Sequence, residues 1–407
     1  MSELMQAEMK RQGQKWPMVK LGDICDLQNG YAFKSSDYTV VSNTMSCRMS
    51  NIRPGGVFDI DYNARFLPDD FSEKYSQFLL KDGDVIIAMT DLADSPKILG
   101  VPTVVKTEGR NILLNQRVGK LEIKDKASVY FPYLKLALNY PSVRSVYKKF
   151  AGGGLQINLG KADLLSVEIP LPPLEEQKRI AAILDKADAI RRKRQQAIQL
   201  ADEFLRSVFL DMFGDPVTNP KGWEVKPVGA ICDCIVPGRD KPKSFTGSMP
   251  WITTNELNYL GLTTKKDDFI GLSAEEIAEV KAKVVPKGSV IMTCVGDLGV
   301  VSIAGDDMVI NQQLHAFLSS DFVTPSFLSY ALAWQKGYMV RMASSTTVPY
   351  MNKTVCNSVP IILPPISLQA RFEKIVEKVA ESKAVMAGAS SADLFESISQ
   401  RSFSGGL

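Results

Sequence analysis

Few residues of this chain have the types and spacing that chemistry requires. Cys232 and Cys234 stand one residue apart, which is half of a four-ligand zinc pattern. The only histidine is His315, and no second cysteine pair supplies the remaining ligands. The six scattered cysteines are therefore expected to be buried free thiols, as in a reducing cytoplasm. Nuclease-like Glu-x-Lys occurs at Glu122–Lys124 and again at Glu279–Lys281, and two unrelated hits in one chain show how cheap that pattern is. Gly154 to Lys161 is one residue too long for a phosphate-cradling loop and runs into Ala162 where Ser or Thr is needed. Asn219-Pro220 continues as Lys221-Gly222 and reads as a turn. One histidine cannot serve a triad in a duplicated fold. No catalytic residue, metal site or resident cofactor is expected, and the chain reads as a binder.

A nucleic-acid partner is permitted, and it would call for particular residue types. Base edges and phosphates are contacted by Arg, Lys, Asn, Gln, Ser and Thr on loops that reach the grooves. Ala151 to Lys161 and Ala343 to Lys353 are polar, turn-rich segments at matching places in the chain. They nominate Gln156, Asn158 and Lys161 in the first, and Ser345, Thr346, Thr347 and Lys353 in the second. Gly152 to Gly154 would let backbone amides come close to phosphates. Two further polar stretches add Lys34, Ser35, Arg48 and Arg53, and Arg239, Lys241 and Lys243. For each residue the plain alternative is a surface side chain that touches nothing. The net charge of +3 permits a nucleic-acid partner without requiring one.

The elements that must position these loops come in two copies. Trp16, Leu21, Gly22, Ile24, Cys25 and Asp26 are answered by Trp223, Val228, Gly229, Ile231, Cys232 and Asp233. Lys81 to Ile87 answers Pro286 to Met292, and Leu114-Asn115-Gln116 answers Ile310-Asn311-Gln312. Leu171-Pro172-Pro173 with Gln177 answers Leu363-Pro364-Pro365 with Gln369, and Phe204 to Phe213 answers Leu394 to Phe403. Between these anchors the copies have diverged, which is a shared frame with different filling.

Within each globular part, Asp84 to Thr90, Ser289 to Val295, Asn111 to Leu114 and Met308 to Ile310 read as buried strands. Phe131 to Leu138 and Thr324 to Leu332 place Pro early and read as helices. After each Pro-Pro the pattern becomes helical. No Pro or Gly interrupts Leu174 to Phe213, and Ile180, Leu184, Ala187, Ile198, Ala201, Leu205, Val208 and Met212 form a heptad seam. Roughly 38 such residues at about 1.5 Å each make a helix of about 57 Å. A helix this long must bury its seam on a partner, and Ser367 to Phe403 is the obvious one, interrupted at Gly388 and Ser390-Ser391. The basic cluster Arg191 to Arg194 is either a solvated face or a contact to phosphate or protein.

The fold class expected is α+β: two similar mixed α/β domains, separated by two long antiparallel, coiled-coil-like helices, in a pseudo-two-fold repeat. The boundaries are a tail over 1–15, domains over 16–173 and 216–365, and helices over 174–215 and 366–407. No run of eighteen apolar residues or signal peptide occurs, and a cytoplasmic protein without membrane contact is expected.

Leu171 to Asp185 resembles the start of the central helix of type I restriction-modification specificity subunits, and Leu394 to Gly406 is similar to their distal helix. Trp16 to Gly30, Gly30 to Tyr38 and Asn311-Gln312-Gln313 fit the same family, so the resemblance spans about 16 to 407. It implies two target-recognition domains, each binding one half of a bipartite double-stranded DNA site, with helices whose length sets the unread gap. It also implies two methyltransferase subunits and two motor-nuclease subunits as partners, with S-adenosylmethionine, ATP and Mg²⁺ belonging to them. The alternative is a duplicated coiled-coil scaffold that binds proteins and reads no DNA sequence.

Overall fold

The computed structural model describes residues 16–93, 96–150, 155–238, 240–344, 348–387 and 391–406. The expected tail over 1–15, Gly152 to Gly154, Arg239, Ser345, Thr346, Thr347, Gly388 and Ser390 lie outside them. The chain packs as two units, Met1–Arg192 with Ala389–Leu407, and Lys193–Gly388. Each contains one mixed α/β domain, part of the central helix and part of the distal helical segment.

In the first unit, Val85–Ala88 and Val118–Ile123 are the inner strands of a four-stranded sheet whose edges are Pro102–Val104 and Cys25–Asn29. A second sheet has Thr44–Cys47 and Asn111–Leu114 side by side in parallel, edged by Phe66–Leu67 and Leu79–Leu80. The second unit repeats this. Leu314–Phe317, Val290–Thr293 and Val301–Ala304 lead one sheet, and Met249–Ile252 runs parallel to Met308–Ile310 in the other. In each copy a glycine with positive φ, Gly83 (+86°) or Gly288 (+83°), makes the turn before the inner strand. An L side chain rarely adopts that conformation, which explains the shared Lys-x-Gly or Pro-Lys-Gly turn.

Each domain is closed by a short antiparallel ribbon that joins its first strand to its last, Met18–Lys20 with Glu168–Pro170 and Glu224–Pro227 with Pro360–Leu363. From the last strand the chain leaves through Pro-Pro into the long helix. The joint is made by one buried amide. Gln177 Oε1 accepts from Tyr130 N (2.8 Å), while its Nε2 donates to Ser128 O and Pro172 O (both 2.8 Å). Gln369 makes the same three bonds, from Thr324 N (3.0 Å) and to Phe322 O (3.0 Å) and Pro364 O (2.9 Å). Both side chains are 0% exposed.

The central helix runs Leu174–Phe213, 40 residues, or about 60 Å. Its partner is two helices, Ile366–Ala387 and Ser391–Ser404, on either side of the expected interruption. In the second unit the pairing is antiparallel: Asp202 meets Lys383 (2.6 Å), and further on Phe209 and Phe213 meet Phe372, with ring centroids 5.5 and 5.6 Å apart. The first unit follows the same sense, with Arg191 against Phe395 and Leu184 in the cluster that includes Phe403. One detail of the expected seam shifts. The fully buried positions at its end are Leu205, Phe209 and Phe213, while Val208 and Met212 pack alongside, half-buried. The reason is a third surface: Phe209 stacks on Phe327 and Tyr330 of the domain helix Pro325–Trp334, so the helix buries a wider stripe than a two-helix seam.

Burial pushes the thiols of Cys25, Cys47 and Cys294 up to about 12 and that of Cys234 up to about 11, and raises Cys232 and Cys356 as well. All six are free and none is exposed. Among the described residues no helix is long and apolar enough to cross a membrane.

Two measurements test this packing. Gln177→Ala or Gln369→Ala strands three buried backbone groups and should cost about 3 kcal/mol or more by denaturant unfolding; a loss under about 1 kcal/mol would show that the joint is held elsewhere. His315 is 3% exposed, and burial, with the Lys353 charge, lowers its pKa to about 4. The unfolded chain takes up this proton below about 6.5, so stability should fall as pH drops from about 6.5 to about 4, by about 3 kcal/mol, and then level. His315→Phe should remove that component, and a pH profile identical to the parent's would refute it.

Candidate nucleic-acid interface

In the first domain several loop ends are tied together by backbone hydrogen bonds. Asn115 N donates to Cys47 O (3.1 Å), Tyr31 N to Leu114 O (2.9 Å) and Gln116 N to Tyr31 O (3.0 Å). Met89 N donates to Arg117 O (3.0 Å), and Leu159 N donates to Met89 O (2.8 Å). This brings the segment carrying Gln156, Asn158 and Lys161 beside the turn Asn115–Arg117 and beside Arg48, which follows Cys47. Close approach is built in: a Cβ on Gly30 would stand 2.3 Å from Asn115 O.

The second domain repeats three of these five ties. Asn311 N donates to Ile252 O (2.9 Å), Cys294 N to Gln313 O (2.8 Å) and Met351 N to Cys294 O (2.9 Å). The turn itself is held alike in both. Asn115 Oδ1 accepts from Arg117 N (3.3 Å), and Asn311 Oδ1 accepts from Gln313 N (3.0 Å). An asparagine spanning two residues this way is an Asx turn, which explains why Asn-Gln recurs at this place.

The nominated residues fall into three groups. Gln156, Asn158, Lys161 and Arg48 join the first loop set; Lys353 follows Met351 in the second, and Lys241 follows Asp240 at its edge. Lys161, Lys241 and Lys353 are exposed and make no hydrogen bond or ion pair among the described residues. Asn158 Oδ1 accepts from Thr90 Oγ1 at 2.8 Å, which orients its amide. Outside these sets, Arg53 lies with its guanidinium 3.5 Å from the centre of the Tyr62 ring, Lys34 and Ser35 open a one-turn helix after Phe33, and Lys243 stands 3.8 Å from Glu279. Arg239, Ser345, Thr346 and Thr347 are not among the described residues.

Sequence reasoning passed over the turn residues Gln116, Arg117, Gln312 and Gln313, all exposed. The signal that points at them is the match of Leu114-Asn115-Gln116 with Ile310-Asn311-Gln312. Arg48, Arg117 and Lys161 make no ion pair among the described residues, and the buried Asp91 carboxylate is taken up by the amides of Leu92, Ile98 and Leu99. In the basic cluster of the central helix, Arg191 and Arg192 both pair with Asp188 (2.7 and 3.1 Å).

The comparisons agree with this duplicated design. The family model for the type I restriction modification DNA specificity domain matches twice, over residues 13–200 and 220–388. The specificity subunit of type I restriction enzyme MjaVIII from Methanocaldococcus jannaschii is 32% identical over 201 residues, covering 48% of this chain and 45% of that one. The chain thus spans about half the length of that relative. The EcoBI specificity subunit from Escherichia coli is 22% identical over 405 residues, covering 89% and 79%. Among solved structures, the S subunit of a type I restriction-modification system from M. genitalium shares the fold, with a TM-score of 0.59 at 15% identity over 96% of both chains. A chain from a study of type I system assembly matches at a TM-score of 0.54 and 20% identity, over 97% of this chain and 98% of that one.

A phosphate contact and a base contact respond differently to substitution. Lys161→Ala should weaken binding to all duplexes alike and reduce the slope of log K against log salt by about one ion. Gln156→Ala should instead relax preference at one position. An unaltered slope would take Lys161 off the phosphate surface.

Proposed function

The chain belongs to the type I restriction modification DNA specificity domain family, and on that premise we propose that it is the specificity subunit of a type I restriction-modification complex. Each domain reads one half of a bipartite double-stranded DNA site, and the helices set the gap between the halves. The observation that carries this reading is the duplicated loop frame, with the same backbone ties holding different side chains in the two domains. Two readers of different sequences need a common scaffold and unlike polar heads. A continuous 40-residue helix supports the role of ruler, because a stiff helix fixes a separation that a flexible linker would not.

The partners follow from the same reading: two methyltransferase subunits, and two motor-nuclease subunits in the restriction complex. S-adenosylmethionine, ATP and Mg²⁺ work on those subunits, and no residue of this chain is given a chemical step. Apolar side chains left exposed on the helices of the second unit, Leu200, Phe204 and Val385, support protein docking there. The relatives are named specificity subunits, which gives no support to a scaffold that reads no DNA.

Selection from a random duplex library, using the full chain with its methyltransferase partner, tests the proposal. Two short blocks separated by a constant unread gap are expected. A single block would mean that one domain does not read, and no enrichment would return the chain to the scaffold class.

A further inference from the structure

The two Asx turns share a frame and differ in what they hold free. In the second domain the turn is tied back on itself. Gln313 Oε1 accepts from Asn311 Nδ2 (3.2 Å), and Gln312 Nε2 donates to the carbonyls of Gly238 (3.3 Å) and Asp240 (3.2 Å). In the first domain the equivalent side chains, Gln116 and Arg117, are exposed and make no side-chain hydrogen bond or ion pair among the described residues.

Free side chains are common on surfaces, but this one is aimed by a rigid base. Arg117 has its amide held by Asn115 Oδ1 and its carbonyl held by Met89 N, so both sides of its peptide are fixed. Asn115 is itself buried, and Met89 binds the segment that carries Gln156 and Asn158. Among the described residues several other arginines are already engaged. Arg110 is paired with Asp61 and Glu108, Arg144 donates to Pro96 and Lys97 carbonyls, Arg179 and Arg191 pair on the central helix, and Arg53 is stacked on Tyr62. An unpaired guanidinium on a locked turn, inside a cluster of polar loop ends, keeps its planar five-donor fork for an external acceptor pair.

We propose that Arg117 is a specificity-determining residue that reads one guanine of the first domain's half-site, its guanidinium donating to O6 and N7 in the major groove. That acceptor pair matches the fork and occurs on no other base edge. Phosphate is the competing acceptor pair, and its signature is different. The inference rests on the half-site reading above and narrows it to one position of one block.

The test repeats the library selection with the complex carrying the parent chain, Arg117→Ala, and Arg117→Gln, the last being the residue at the equivalent turn position of the second domain. Both changes are at an exposed site, and unchanged melting temperatures confirm that the variants are folded. In Arg117→Ala one guanine of one block should lose about ten- to a hundredfold of its preference, with the other block and the gap unchanged. Arg117→Gln should lose the same guanine and admit adenine there, since a glutamine amide pairs with adenine N6 and N7. An identical motif in all three proteins would overturn the assignment. So would a uniform loss of affinity with the salt slope reduced by about one ion, which marks a phosphate contact. A parent chain that enriches no two-block motif would sink the reading beneath it instead.

Discussion

The arrangement hangs on a glutamine amide, used twice. Gln177 and Gln369 each sit one turn into a long helix and satisfy three backbone groups at once: the carbonyl of the first proline of Pro-Pro, and a carbonyl and an amide at the start of the domain helix. Those groups belong to two segments, which the glutamine ties to the helix that carries it. A chain leaving a globular domain through two prolines has no amide there to bond, so direction must be imposed from outside. The glutamine supplies it. Because the amide is buried, rotation at the joint would strand three polar groups together, and the domain is held rigidly to its own stretch of helix.

A second pair of bonds shows how the parts are shared. Trp223 Nε1 donates to Phe213 O at the end of the central helix (2.9 Å), and Trp16 Nε1 donates to Ser402 O near the end of the last helix (2.9 Å). Each domain thus begins by covering the terminus of a helix that lies before it in one case and almost 400 residues after it in the other. The helix Ser391–Ser404 packs into the first unit. Tyr133 and Tyr140 pack on Phe403, with ring centroids 5.7 and 4.6 Å apart, where Phe327 packs on Phe213 at 4.9 Å in the second unit. Like pieces in a different chain order build both units.

Local signals in the sequence sufficed for the parts that depend on local rules. The inner strands, the early-proline helices, the long helix and its broken partner all followed from periodicity and punctuation. Near its end the heptad pattern puts the seam one residue off, because a heptad rule assumes two helices, whereas Phe209 and Phe213 also bury against a domain helix. The strand Thr44–Cys47 gives little signal: Thr-Met-Ser-Cys alternates over only four residues, and all four are buried, beside a parallel neighbour more than sixty residues away. Gln177 and Gln369 were visible as a match, but their partners lie nearly fifty residues upstream, so no local pattern discloses the bond. The candidate site was legible as segments, not as a surface. The polar stretches stand out by composition, whereas the turn that links them is a three-residue match whose place beside them only the fold supplies.

A net charge of +3 on 407 residues is small for a chain proposed to sit on a polyanion. Sequence-independent affinity grows with the number of phosphates neutralised, and the loop sets offer only a handful of unpaired cations. In such a chain the balance moves toward discrimination, because weak background attraction leaves a few bidentate contacts to decide where it rests. The frame suits that role. Loop ends pinned by backbone bonds lose little entropy when they meet a groove, so each polar head counts nearly in full. Duplicating the frame and changing only the heads then offers two sets of polar heads from one solution to the folding problem, and the glutamine in each copy holds a domain to its own stretch of helix.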